Sequence, residues 1–307
     1  MRYHQSGEPG FIQPSALAAA GELARRLVEA SPEGLEYVTF VNSGAEAVEA
    51  AIKLCRSASG RPGILAAENS FHGKTFGALS ATGNPEYQKA FQAPAPDFHH
   101  IPFGDLAVLE KELKAHPDYY AAFIVEPIQG EGGIIVPPAG YLTGVKDLCR
   151  EHKVLLVFDE IQSGLGRTGR LFACEEEGVA PDVMVLAKAL GGGVIPVGAC
   201  LSSDAAYNED FANKHSSTFA GNSLACRVGI RVLDLLTADN GALLKEVRRK
   251  GAIFREGLQK LQEHYPDLIC SVRGRGLMLG LEFNMDRRQF PGSLLGIMAE
   301  QELLTPA

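Results

Sequence analysis

Residues 154–193 read VLLVFDEIQSGLGRTGRLFACEEEGVAPDVMVLAKALGGG and contain two short apolar runs, 154–158 and 183–187. Each run ends in one charged residue, Asp159 after the first and Lys188 after the second. Unalternating runs of this length, rich in Val and Leu, predict buried strands of a parallel sheet. Ligands of open α/β sheets bind outside the carboxyl ends of the strands. The stretch therefore places a carboxylate and an amine at one crevice.

Working outward, residues 121–125 form a third apolar run that ends in a carboxylate, Glu126, and residues 141–152 carry Tyr141, Val145, Leu148 and Cys149 at helical spacing. Upstream, a short strand at 37–41 runs into a helix whose Ser43-Gly44-Ala45-Glu46 start fits the S-x-x-E capping box. Residues 15–30 predict a helix capped by Ser15 with an apolar stripe of Leu17, Ala20, Leu23 and Leu27. Further strands are predicted at 64–67 and 194–201, and the glycines and asparagine of FHGKTFGALSATGNP (71–85) predict a turn-rich segment. Alternating strands and helices indicate an α/β fold with right-handed crossovers.

Past Asn222 the pattern changes to two helices, 224–236 and 243–264, then a strand in SVRGRGLMLGLEFN (271–284) entered through a glycine turn, then a helix at 293–305 stopped by Pro306. Asp239-Asn240-Gly241 interrupts the helices and marks a domain boundary, with a large domain at 1–240 and the start of a smaller one at 241–307.

A chain of 307 residues with 46% apolar content can bury a sizeable core, and a net charge of −8 without a basic run argues against a nucleic-acid surface. The opening MRYHQSGEPGFIQPS lacks the apolar core of a secretion signal, and no run approaches the roughly 18 apolar residues of a membrane span. A soluble, cytoplasmic protein is expected. Its six scattered cysteines read as buried thiols, and His99-His100 has no companion Cys or His cluster, so no metal site is expected.

Lys188 follows VMVLA and precedes ALGGG. Burial there disfavours the ammonium and makes a nucleophilic amine able to form a Schiff base, although a lysine emerging at a strand end to reach solvent fits the same pattern. Asp159 suits the carboxylate that Schiff-base cofactor chemistry sets against a pyridine nitrogen, or equally a structural ion pair with Lys188 or Arg167. Ser43-Gly44-Ala45 at a helix start offers N–H groups and the helix dipole to a phosphate, while a plain helix cap explains the same residues. Gly191-Gly192-Gly193 lacks nucleotide-binding spacing and reads as a turn.

Taken together, VNSGAEAVEAAIK (41–53), FHGKTFGALSATGNP (71–85), VEPIQGEGGIIVPPAGYL (125–142), DEIQSGLGRTG (159–169), PDVMVLAKALGGGVIPVGA (181–199) and STFAGN (217–222) resemble, in order, the class III aminotransferases. The similarity covers roughly residues 10 to 285 and is densest towards the putrescine, ornithine and acetylornithine branch. It implies the pyridoxal-phosphate (PLP) transferase fold type I: a large domain with a mostly parallel sheet flanked by helices, plus an incomplete C-terminal α+β small domain. It also implies that Lys188 binds pyridoxal 5'-phosphate through its amine and moves a proton, and that Asp159 faces the pyridine nitrogen. Gln162 is implied near the ring oxygen, Phe71 stacked on the ring with His72 beside it, and Ser43, Gly44 and Ala45 on the phosphate. Thr218 would reach the cofactor of the other subunit in a homodimer, and Glu126 and Glu131 match acidic positions near the substrate pocket.

The resemblance departs at Ala45, where Thr is commoner, and at Ala220 and Ser223, where Gly and Pro are usual. The chain looks truncated at both ends, and Arg287 and Arg288 do not match the family arginine that clamps 2-oxoglutarate. The implied activity is a ping-pong transfer of an amino group from a diamine or ω-amino acid donor to a keto acid. An aminomutase or racemase of the same fold, and a non-catalytic remnant that still binds PLP, are the alternatives.

Overall fold

The structure, a computed structural model, describes residues 17–284. Its centre is a seven-stranded sheet in the order β1 (Tyr37–Val41), β7 (Gly198–Ser202), β6 (Val183–Leu186), β5 (Leu155–Asp159), β4 (Tyr120–Val125), β2 (Gly63–Ala67), β3 (Phe98–Ile101). Only β7 runs against the others, pairing antiparallel with both β1 and β6. The strand ends of β4, β5 and β6 therefore lie side by side, with Glu126, Asp159 and Lys188 at their carboxyl ends. The central strands β2 and β4 are buried along their whole length, which is why their sequences run apolar without alternation.

Helices cover both faces: α1 (Ala18–Ala30), α2 (Gly44–Ser59), α3 (Phe76–Ala81), α4 (Pro85–Gln88), α5 (Leu106–Ala115), α6 (Tyr141–Glu151), α7 (Glu209–Lys214) and α8 (Ser223–His264). One face packs α1, α5, α6 and the start of α8 around Leu23, Leu109, Tyr141 and Leu233. The other is dominated by α2, whose Ala47, Ala50 and Ala51 let the helix lie close on the sheet. Gly198 of β7 completes that approach, since a Cβ there would meet the Ser43 carbonyl oxygen at 2.5 Å. The start of α2 is thereby fixed over the strand ends.

The buried residues of α1 are Ala19, Leu23 and Leu27, so Ala19 and not Ala20 completes its stripe; Ser15 lies outside the described residues, as does the helix expected at 293–305. In α6 Leu142 is buried and Leu148 only half-buried, because the stripe leans towards the preceding turn. Segment 71–85 is not all turn, as α3 and the start of α4 lie inside it. The strand expected at 194–201 begins only at Gly198, because Pro196 cannot donate to the ladder. Residues 271–284 form two strands, β8 (Ile269–Arg275) and β9 (Met278–Phe283), which turn back at Gly276 in the left-handed region.

Arg273 of this hairpin donates from Nε to the Gly133 carbonyl at 2.7 Å and pairs with Glu282, tying the small sheet to the loop after β4. Helix α8 breaks at Ala238–Gly241, where Asp239, Asn240 and Gly241 are all left-handed. Cys270 is exposed, whereas the other five cysteines are buried thiols. No helix among the described residues is long and apolar enough to cross a membrane.

Candidate active site

Nine of the eleven candidate residues line one cleft of about 450 Å³ at the carboxyl ends of the strands: Ser43, Gly44, Ala45, Phe71, His72, Glu126, Asp159, Gln162 and Lys188. Glu131 and Thr218 do not line it. Glu131 stands exposed on the loop after β4, where it accepts a hydrogen bond from the Tyr87 hydroxyl at 3.0 Å. Thr218 is exposed in the 215–222 loop. Both were implied by resemblance, and neither carries a pattern that spacing could read.

The cap of α2 forms as expected on one side only. Ser43 Oγ accepts from Glu46 N at 3.2 Å, but the Glu46 carboxylate reaches past the cap to Asn42 N at 2.9 Å. Asn42 Nδ2 in turn donates to Ser217 Oγ at 2.8 Å, joining the 215–222 loop to the cleft rim. The first N–H groups of α2, at Gly44 and Ala45, have no intrahelical acceptor, as in any helix, and they open onto the cleft with the positive end of the dipole. Small residues are required here. A Cβ on Gly44 would meet Ile161 Cδ1 at 2.9 Å, and one on Gly73, whose φ is +135°, would meet Ala45 Cβ at 2.7 Å.

Asp159 is buried and its two oxygens are both used. Oδ1 accepts from Ile161 N at 3.0 Å, and Oδ2 accepts from His72 Nδ1 at 2.7 Å. Its partner is thus His72, not Lys188 or Arg167. Burial works against a charged His72, but the hydrogen bond and the charge of Asp159, with Glu126 behind them, raise its proton affinity above the ordinary histidine range. The other ring nitrogen of His72, Nε2, is buried without a partner among the described residues.

Glu126 lies under the same group, accepting from Phe71 N at 3.1 Å and Gly130 N at 3.0 Å. Burial drives its carboxyl up to about 7 against the pull of His72, and the nearby Asp159 adds to the rise. It shapes the bend that presents Phe71 as well as lining the cleft.

Lys188 sits at φ +41° just past β6, so the chain turns sharply and throws its side chain into the cleft. The residue is exposed rather than buried, and its Nζ donates to Gln162 Oε1 at 2.7 Å. It emerges at the strand end into the cleft, beside Gln162, and not onto the open surface. Gln162 is held from behind, since a Cβ on Gly130 would meet its Cδ at 2.5 Å. Sequence reasoning did not single out the opposite wall, Ile195, Pro196 and Val197, or the rim residues Asn42, Lys74 and Ile161. The I-P-V step just before Gly198 was the available signal for that wall.

This arrangement fits the group expected from the sequence. A helix start stripped of Cβ bulk suits a phosphate, a buried carboxylate with a fixed back-side partner suits a ring nitrogen, and an amine stands on the neighbouring strand end.

A family model described as Aminotransferase class-III matches residues 12–301. The chain belongs to the class-III aminotransferases. A putrescine aminotransferase of Pectobacterium atrosepticum is 45% identical over 271 residues, covering 86% of this chain and 58% of that protein. The chain thus spans somewhat over half the length of this curated class-III relative. Among solved structures, the ornithine aminotransferase of Toxoplasma gondii superposes with a TM-score of 0.85 at 34% identity, covering 93% of this chain and 68% of that one. The taurine:2-oxoglutarate aminotransferase of Bifidobacterium kashiwanohense, solved with PLP and glutamate, superposes with a TM-score of 0.88 at 28% identity, covering 98% and 75%. The mixed sheet and flanking helices are those of the PLP-dependent fold type I transaminases, as the class-III resemblance implied.

Proposed function

We propose that the chain carries the cofactor site of a PLP-dependent transaminase that moves an amino group from a diamine or ω-amino acid, of the putrescine, ornithine or acetylornithine kind, to a keto acid, 2-oxoglutarate. One observation carries the reading: Lys188 and Asp159 project from the ends of adjacent strands into one cleft, each with its own partner, Gln162 and His72. The names of the relatives support the reaction class.

In this reading Ser43, Gly44 and Ala45 hold the phosphate, Phe71 lies against the ring, and Asp159 faces the ring nitrogen while His72 keeps its carboxylate oriented and compensated. When bound, PLP supplies the electron sink for the substrate carbanion. The protein's part is position and proton transfer. Nζ of Lys188 would hold the cofactor and would serve as the base that moves a proton at the substrate carbon. Gln162 Oε1 limits where that amine can swing. Glu126 supports the segment carrying Phe71 and His72. Thr218 and the exposed Phe219 beside it are assigned to a subunit contact in a homodimer, and the boundary between large and small domains to the left-handed break at 239–241.

The test is spectroscopic and kinetic. The chain loaded with PLP is expected to show visible cofactor absorbance that Lys188→Ala loses, and to turn over putrescine, ornithine or acetylornithine only when 2-oxoglutarate is present. Turnover without any keto acid would select an aminomutase instead. An unchanged Lys188→Ala spectrum would refute the lysine assignment.

A further inference from the structure

We infer that Glu46 is a positioning residue for the anion cradle, holding Asn42 and the 215–222 loop against the start of α2; this rests on the cofactor-site reading above. Asn42, Ser43, Gly44 and Ala45 line the cleft, and Glu46, one residue further on, stands outside it. Its carboxylate nevertheless governs that wall. Oε2 accepts from Asn42 N at 2.9 Å, from Asn42 Nδ2 at 3.1 Å and from Ser217 Oγ at 3.1 Å. Asn42 Nδ2 also donates to Ser217 Oγ at 2.8 Å, which closes a ring of three side chains.

The departure from an ordinary cap carries the argument. In a capping box the third helical residue returns its carboxylate to the N–H of the cap residue itself. Here the cap is Ser43, yet Glu46 reaches one residue further back, and the Ser43 N–H has no acceptor among the described residues. The helix start therefore keeps three adjacent N–H donors for an anion, those of Ser43, Gly44 and Ala45, where a closed box would leave two.

Charge explains why the carboxylate needs so many donors. An anion in the first turn favours the helix dipole, but it competes with a phosphate for the same N–H groups. Three donors on Oε2 fix it to Asn42 and Ser217 instead. Released from them, Glu46 falls back on the Ser43 N–H and closes the box against the ligand. Ser217 belongs to the loop between α7 and α8, so the ring also couples that loop to the cradle.

The experiment follows the rate of PLP loss on dilution of the loaded protein. Glu46→Ala is expected to lose PLP about tenfold faster than the parent, the worth of one charge-assisted hydrogen bond, and Ser217→Ala about threefold faster. The double variant should be no faster than Glu46→Ala alone, because the two residues act as a unit. Glu46→Gln keeps an acceptor oxygen and should stay within about twofold of the parent. Asp105→Ala removes the cap of α5, where Asp105 Oδ1 accepts from Val108 N at 3.0 Å; it should lower the urea midpoint and leave the PLP rate unchanged. A parent-like rate in Glu46→Ala, or additive effects in the double variant, overturns the proposal. An Asp105→Ala rate as fast as that of Glu46→Ala also overturns it, since it marks general destabilisation. Inorganic phosphate, titrated calorimetrically into the cofactor-free chain, reads the cradle without Lys188 and should bind about tenfold more weakly to Glu46→Ala. If the parent forms no PLP adduct, the transaminase reading fails on its own. The phosphate titration then still decides Glu46: weaker binding in Glu46→Ala upholds it, and equal affinity, or no phosphate binding by the parent, overturns it.

Discussion

Nδ1 of His72 lies 2.7 Å from Oδ2 of Asp159, and both side chains are buried. The carboxylate that faces the cleft therefore has a dedicated donor behind it, supplied by the segment after β2 and brought close by the order of strands in the sheet. Replacing His72 by Leu leaves Asp159 buried with only a backbone donor. The expected cost is about 2–4 kcal/mol of stability, read as a lower urea midpoint. A midpoint equal to the parent's would show that the pair contributes nothing to the fold.

Glu126 gives the site a pH signature. Its carboxyl is pushed up to about 7 by burial, from an ordinary carboxylate value near 4.5 in the unfolded chain. The folded state therefore holds this proton more tightly than the unfolded state. The resulting stability is complete below about pH 4.5 and is lost as pH rises through about 7. His72, raised above its usual range, acts in the same direction. A tenfold difference in proton affinity is worth about 1.4 kcal/mol, so the Glu126 contribution across this window is on the order of 3 kcal/mol at most. Thermal unfolding between pH 4.5 and 8 should show the decline, and Glu126→Gln should flatten it. A parent curve already flat over that range contradicts the assignment.

Gly73 and Gly44 sit on opposite sides of the helix start, and their substitutions should differ. Gly73→Ala faces both a φ of +135° and the Ala45 Cβ, and should cost about 2–4 kcal/mol. Gly44→Ala meets only the Ile161 side chain, at Cδ1 (2.9 Å) and Cγ2 (3.1 Å), without a backbone penalty, so a smaller cost of about 1–2 kcal/mol is expected. Chemical denaturation of the two variants side by side checks the order. PLP affinity should fall in both, because each methyl group crowds the phosphate cradle.

Gly130→Ala tests the Lys188–Gln162 contact without touching either residue. The added methyl group occupies the place of the Gln162 carboxamide and should push its oxygen away from Nζ. The expected result is a fall of about tenfold in kcat, typical of a misplaced positioning group, with the thermal midpoint changed by only a few degrees. Equal kcat in parent and variant would remove Gln162 from the mechanism.

The parts of the site that were legible in the sequence are those set by local rules. A buried strand announces itself by an unbroken apolar run, so the charged residues that end β4, β5 and β6 could be placed from the sequence, as could the Ser43 cap. The pairing of His72 with Asp159 was not legible, because it depends on β2 lying two strands from β5. Strand β3 escaped notice because it is an edge strand, four residues long and half histidine. Helix α5 had a signal in Asp105, whose side chain caps it, followed by Leu109 and Leu113 on one face. The burial argument for Lys188 was misplaced, since an apolar run describes the strand beneath a residue and not the cavity above it.

The backbone at Lys188 carries a consequence for how such a chain ages. With φ at +41°, the position is one where glycine or asparagine sits comfortably and a straight-chain residue does not, at a cost of about 1–2 kcal/mol. Lys188→Gly should therefore be inert as an enzyme yet melt no lower than the parent. On the proposed function, the reaction is what keeps lysine in that corner. In a lineage relieved of the reaction, this is the first place where mutation and stability would pull the same way, and a glycine there would be the fossil of a lost activity.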